Sequence, residues 1–309
     1  MVLVGTTASG KSDLAFGVAS ARGDVEIVSV DSMSVYRGMD IATAKPSARQ
    51  RAIVRHHLVD LLDPSEECTV ARFQAGARSA LREIERRGSR ALLVGGTGLY
   101  VRAVVDELSL PGRYPEVAAR LEQEAGEPGG LGRLYARLGS SDPVAAARVT
   151  PQNARRIVRA LEVTIGSGRP FSSFGPGLRR YPPTRFVQIG LPFDPVRVDA
   201  EIEARFLAWM EGGLLEEVRA LAGRPAGLSR TARQALGYRE LLAHLEEGVP
   251  LEVAVASAIQ RTRTFARRQW AWFRRDPRIV WVGEEEDPIE VLAGAFEPGR
   301  SVHEAEARD

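Results

Sequence analysis

The sequence predicts an α/β protein: a parallel sheet flanked by helices and interrupted by a helical insertion. Three observations point there. Gly5, Thr6, Thr7, Ala8, Ser9, Gly10, Lys11 and Ser12 read G-T-T-A-S-G-K-S, a full match to the phosphate-loop pattern G-x-x-x-x-G-K-[ST]. Short apolar runs alternate with stretches of helical periodicity, both before residue 112 and after residue 184. Between these limits only short helix-like runs occur, broken by Gly and Pro clusters. The expected architecture is a P-loop parallel sheet formed by residues 1–112 and 184–309, with residues 113–183 as a helical insertion domain.

Val2, Leu3 and Val4 form the first buried strand, and Leu14, Ala15, Val18 and Ala19 mark the helix after the loop. In that setting the glycines let backbone N–H groups converge on phosphate oxygens at a helix N-terminus. Lys11 adds a compact charge, and Ser12 offers a hydroxyl to Mg²⁺. A second strand over residues 25–30 ends in Asp31. Residues 68–87 form a helix with Val70, Phe73, Ala77, Leu81 and Ile84 on one face. A third strand, 91–94, ends in Gly95, Gly96, Thr97 and Gly98. Ligands of parallel sheets bind at the carboxyl ends of strands, so the loop, Asp31 and Thr97 should share one crevice.

In the insertion, helix-like runs cover residues 115–124, 131–138 and 151–165. In the last, Ile157, Val158, Leu161 and Ile165 are expected to face inward, with Arg155, Arg156 and Arg159 elsewhere. A strand then spans 186–191. Val198, Ile202, Phe206, Met210 and Leu214 mark a long helix. Another runs over 252–273, its apolar stripe made of Val255, Ile259, Thr262, Ala266, Trp270 and Phe273. Beside that stripe lie two arginine rows, one of Arg263, Arg267 and Arg274, the other of Arg261, Arg268 and Arg275. A strand at 279–282 and a helix near 288–296 close the pattern.

Charged residues make up 27% of the chain and hydrophobic ones 44%, which excludes wholesale disorder. No apolar run reaches the roughly 18 residues of a membrane helix, and no basic-then-apolar leader opens the chain. A cytoplasmic protein with no membrane partner is expected. A single cysteine, Cys68, excludes an internal disulfide framework and a Cys-based zinc cluster. Of 42 basic residues only Lys11 and Lys45 are lysines. Residues 151–185 hold seven arginines against one acid, as do residues 259–278, while residues 284–309 hold nine acids against two arginines. Clustered arginine points to a polyanionic partner, or else to solvated helix faces.

A phosphate loop commonly serves NTP hydrolysis or a small-metabolite kinase, in which an acid after a strand holds Mg²⁺. Here Gly-Gly-Thr-Gly follows the 91–94 strand without one. The acid at a strand end is Asp31, suited to touch Mg²⁺, to act as general base, or simply to cap a helix.

After the phosphate loop come Ser29-Val30-Asp31-Ser32, Val35-Tyr36-Arg37-Gly38-Met39-Asp40, Thr43-Ala44-Lys45-Pro46 and His57-Leu58-Val59-Asp60. Gly95-Gly96-Thr97-Gly98-Leu99-Tyr100, Asp142-Pro143, Arg159-Ala160-Leu161-Glu162-Val163, Gly237-Tyr238-Arg239-Glu240 and Arg267-Arg268-Gln269 with Trp272-Phe273 follow. With these stretches in family order from residue 5 to about 282, the chain resembles the bacterial tRNA dimethylallyltransferases (tRNA isopentenyltransferases). The resemblance implies that residues 5–12 bind dimethylallyl diphosphate with Mg²⁺ at Ser12. It implies catalytic roles for Asp31, Thr97 and Arg205, with Asp31 taking the proton of the attacking amine and Arg205 near the diphosphate. It further implies that the anticodon stem-loop of tRNA meets Asp31, Ser32, Met33, Ser34 and Thr97, then Arg155, Arg156, Ile157, Val158 and Arg159, then Gln234, Ala235, Leu236, Gly237, Tyr238 and Arg239. The adenosine at position 37 would be flipped into the pocket, and a monomer is expected.

This chain departs from the family pattern at three places. Thr6 stands where many relatives have proline, Ala118 where an arginine is expected, and Glu201 where relatives often carry arginine. An adenylate isopentenyltransferase and a P-loop small-metabolite kinase are the alternatives; neither calls for the two basic clusters.

Overall fold

The computed structural model describes residues 1–175 and 177–297. In chain order the elements are β1 (Val2–Val4), α1 (Lys11–Arg22), β2 (Val25–Ser29), α2 (Ala48–Ile53), β3 (His56–His57), α3 (Val70–Arg86), β4 (Arg90–Gly95) and α4 (Gly98–Val105). Then come α5 (Pro115–Gly126), α6 (Gly130–Ser141), α7 (Pro143–Ala146), α8 (Ala154–Ser167), β5 (Gln188–Gly190) and α9 (Pro195–Glu211). The last are α10 (Leu214–Ala222), α11 (Tyr238–Glu247), α12 (Leu251–Phe273), β6 (Ile279–Trp281) and α13 (Pro288–Gly294). The end of the acidic stretch, residues 298–309, lies outside the described residues.

Two compact units result: Met1–Asp106 with the chain from Pro183 onward, and Glu107–Pro182. The boundaries expected at 112/113 and 183/184 therefore fall slightly late. In the first unit all strand pairs are parallel, in the order β3-β2-β4-β1-β5-β6. Strand residues alternate between two cores, as a pleat requires. Leu3, Ile27, Leu92 and Ile189 meet α1 and α13; Val2, Val4, Val28 and Leu93 meet α3, α4 and α9 to α12. Val4 pairs with Gly95 and Ser29 with Val94, so the loops leaving β1, β2 and β4 start side by side. Close packing there excludes a side chain at Gly95, whose Cβ would stand 2.1 Å from the Val30 carbonyl oxygen.

The long helix expected over 198–214 is two helices. α9 ends at Glu211, and Gly213, at φ 94°, turns the chain into α10. In the second unit α5, α6 and α8 close on Leu121, Leu134, Leu138, Ile157 and Leu161. Ile165, expected inward, is exposed; it sits in the last turn before the Gly168 cap.

Candidate active site

Segments from β1, β2 and β4 line one cavity of about 820 Å³ in the first unit, joined by residues of α9, α12 and the 234–236 turn. The phosphate loop bends through Ala8 (φ 59°) and Gly10 (φ 80°), both left-handed, and delivers Lys11 as the first residue of α1. Lys11 Nζ donates to the Thr6 carbonyl at 3.0 Å. Burial pulls the Lys11 pKa down to about 8; Asp31 acts to raise it and Arg205 to lower it. Three residues from distant parts of the chain thus share one electrostatic environment. Thr6 Oγ1 and Ser9 Oγ are buried with no partner among the described residues. The loop residues that line the cavity are Thr7, Ala8, Gly10, Lys11 and Ser12, and a cation with free backbone N–H groups at a helix N-terminus suits phosphate oxygens.

Asp31 Oδ1 accepts the N–H groups of Met33 (2.7 Å) and Ser34 (3.1 Å). The carboxylate is therefore fixed as the cap of a turn, and Asp31 lines the cavity. Ser32 and Met33 line it as well. Ser34 is buried, its hydroxyl 3.0 Å from that of Ser29. Thr97 stands at the start of α4 without capping it. Arg205 lies 5.0 Å over the Trp209 ring, and both side chains reach the cavity.

Gln234, Ala235 and Leu236 also line it, but Gly237, Tyr238 and Arg239 do not. Tyr238 is fully buried, because the first turn of α11 aims it inward; its Oη donates to Glu217 Oε1 at 2.5 Å. Burial and that carboxylate push its phenol upward. Gly237 is buried beside it, so at these two positions no side chain faces the cavity. Arg239 is exposed, bonded to Gln234 at 3.2 Å. Helical periodicity turns Ile157 and Val158 into the core of the second unit. Arg159 donates to the carbonyls of Pro111 (2.9 Å) and Gly112 and pairs with Glu162, so it serves packing. Arg155 and Arg156 are exposed.

Lys45 proves to be a clamp. Its ammonium binds Asp40 and Asp60 at 2.6 Å each, together with the Tyr36 carbonyl. Burial pushes Asp60 up, but Lys45 and Arg51 outweigh it and hold that carboxyl below its usual range. Glu217 accepts the N–H groups of Asp40 and Ile41, fixing the same loop.

On α12, Arg263 bonds the Asp199 carbonyl and Glu203, and Arg267 forks onto Asp199 at 3.0 and 2.7 Å. These two therefore brace α9, while the exposed Arg268 and Phe265 line the cavity. Gln269, expected only as part of a motif, is buried and bonds both the phosphate loop and Gly96. Its signal was a glutamine at i+7 from Thr262 on a buried helical stripe.

Among the described residues no group of three or more His, Cys, Asp or Glu could hold a metal ion. Ser12 lines the cavity next to Lys11, where its hydroxyl could take one position on a Mg²⁺ otherwise held by phosphate oxygens and water. No helix among the described residues is long and apolar enough to cross a membrane.

Fold and loop together define a P-loop α/β protein. A profile of the IPP transferase family matches residues 34–276. The chain is 45% identical over 306 residues to a tRNA dimethylallyltransferase of Kineococcus radiotolerans, covering 96% of this chain and 95% of that one. It is 46% identical to one of Desulforudis audaxviator, with 93% and 92% covered. Among solved structures it matches the tRNA isopentenylpyrophosphate transferase of Bacillus halodurans with a TM-score of 0.68 at 35% identity, covering 95% and 94%. A eukaryotic dimethylallyltransferase acting on tRNA matches with a TM-score of 0.74 at 26% identity, covering 91% and 72%. The chain belongs to the IPP transferase family.

Proposed function

We propose that this protein transfers the dimethylallyl group of dimethylallyl diphosphate to the exocyclic amine of the adenosine at position 37 of tRNA. The observation that carries the reading is one cavity that joins the phosphate loop, with Lys11 and Ser12, to Asp31, Thr97 and the α9 residue Arg205. The amine lone pair attacks the allylic carbon, the carbon–oxygen bond breaks, and diphosphate leaves with the bonding electrons. Lys11 and Arg205 stabilise the charge that develops on it. Asp31, held by the two amides at Oδ1, takes the proton of the alkylated amine. Mg²⁺ bound with the diphosphate at Ser12 would add neutralising charge to the leaving group. Exposed Arg155 and Arg156 supply a phosphate-binding surface for an anticodon stem. Every residue invoked comes from one chain, so a monomer suffices.

Incubation with dimethylallyl diphosphate and either an unmodified anticodon stem-loop or AMP tests this. Prenylated stem-loop is expected. Product on AMP alone would assign an adenylate isopentenyltransferase, and phosphoryl transfer from ATP a kinase.

A further inference from the structure

Gln269 lies on the buried face of α12 with Thr262, Ala266 and Phe273. The Thr262 hydroxyl returns to its own helix, at the Ala258 carbonyl. Gln269 reaches out of the helix instead, to two separate loops. Its Oε1 accepts the N–H of Thr7 at 2.7 Å, and its Nε2 donates to the carbonyl of Gly96 at 2.9 Å. Thr7 belongs to the phosphate loop; Gly96 immediately precedes Thr97. A Cβ on Gly96 would stand 2.3 Å from Gln269 Nε2, so the bare backbone there is what admits the amide. One turn along α12, Trp272 packs over Gly98, where a Cβ would meet the indole at 2.2 Å. The same turn carries Arg268 on the cavity wall.

We propose that Gln269 is a positioning residue for group transfer. Its amide sets the spacing between the loop that holds the departing diphosphate and the Gly96-Thr97 segment, beside which the acceptor base reacts. This rests on the reading of the phosphate loop given above. One donor and one acceptor of the side chain are each matched to a backbone group of opposite kind, so both loops are fixed relative to α12. Without the amide the Thr7 N–H and the Gly96 carbonyl lose their partner, and the loops can drift apart. A displacement of about 1 Å between reacting groups costs roughly 10²-fold in rate.

The test uses Gln269→Met, which fills the same space without hydrogen bonds, and Gln269→Glu, which can still accept from Thr7 but cannot donate to Gly96. Single-turnover rate at saturating dimethylallyl diphosphate and stem-loop, donor affinity, and Tm are measured on the full chain. Both variants are expected to lose about 10²-fold in the saturated rate, far below Tm, with donor affinity falling less. A lowered Tm with an unchanged saturated rate in both variants assigns Gln269 to stability alone and overturns the proposal. A wild-type protein that transfers nothing from dimethylallyl diphosphate overturns the underlying reading as well.

Discussion

At Lys11 the ammonium sits where burial and Arg205 disfavour its charge and Asp31 supports it. An arriving diphosphate supplies the missing counter-charge and raises the pKa in the complex. The free protein, with Lys11 near pKa 8, must then take up a proton to bind once the pH exceeds that value. Affinity for a non-reactive donor analogue should be level below about pH 8 and fall about tenfold per pH unit above it. Calorimetry from neutral pH upward checks this. Lys11→Arg should bind weakly throughout and without that slope, since a planar fork does not replace a compact ammonium in a tight loop. Asp31→Asn keeps the shape of the turn cap at Met33 and Ser34 but removes the proton acceptor. Single-turnover rate should fall about 10²–10⁴-fold, with stem-loop affinity nearly unchanged. An affinity loss as large as the rate loss would make Asp31 a binding residue only.

Helices α8 and α12 show how far arginine counting carries. Both read as basic stripes, yet Arg159, Arg263 and Arg267 are held by carbonyls or carboxylates of their own unit. The expectation that survives concerns Arg155 and Arg156. Replacing both with alanine should weaken stem-loop binding and make the dependence of log affinity on log salt shallower by roughly 0.7–0.9 per lost phosphate contact. Donor affinity should stay at the wild-type value. An unmoved salt slope would leave the pair as a solvated face. The same contrast explains what was legible in the sequence. Strand–loop–helix order, the apolar face of α3 and the meeting of residues 5–12, Asp31 and Thr97 follow from local periodicity and the geometry of parallel sheets. The burial of Tyr238, the bracing of Arg267 by Asp199 and the double bond of Gln269 depend on partners far away in the chain. No local pattern encodes those partners. Ile157 and Val158 were legible as core from their spacing, and it was the family resemblance that cast them as contacts.

Across the whole molecule, the second unit enters and leaves the first through adjacent backbone. Thr184 Oγ1 donates to the Val105 carbonyl at 3.1 Å, next to where Glu107–Pro182 begins and ends. Asp106, one residue before the junction, is buried between Arg102 and Arg278. Replacing residues 107–182 with a short Gly/Ser linker should leave a folded protein that binds dimethylallyl diphosphate normally and the stem-loop poorly. Circular dichroism, a melting curve and the two affinities check it; loss of cooperative melting would show that the first unit needs the second. In that shortened chain Asp106 must stay, since removing one partner of a buried pair costs about 3–5 kcal/mol. The chain's two lysines, finally, stand in different surroundings. Lys45 is tied between two carboxylates and a carbonyl, whereas Lys11 lines the cavity with its pKa pulled by burial to about 8. Acylating reagents attack the neutral amine, so in mild alkali the label on lysine should collect at Lys11 and be excluded by bound donor. Arginine usage elsewhere has left the protein with a built-in covalent reporter of its own occupancy.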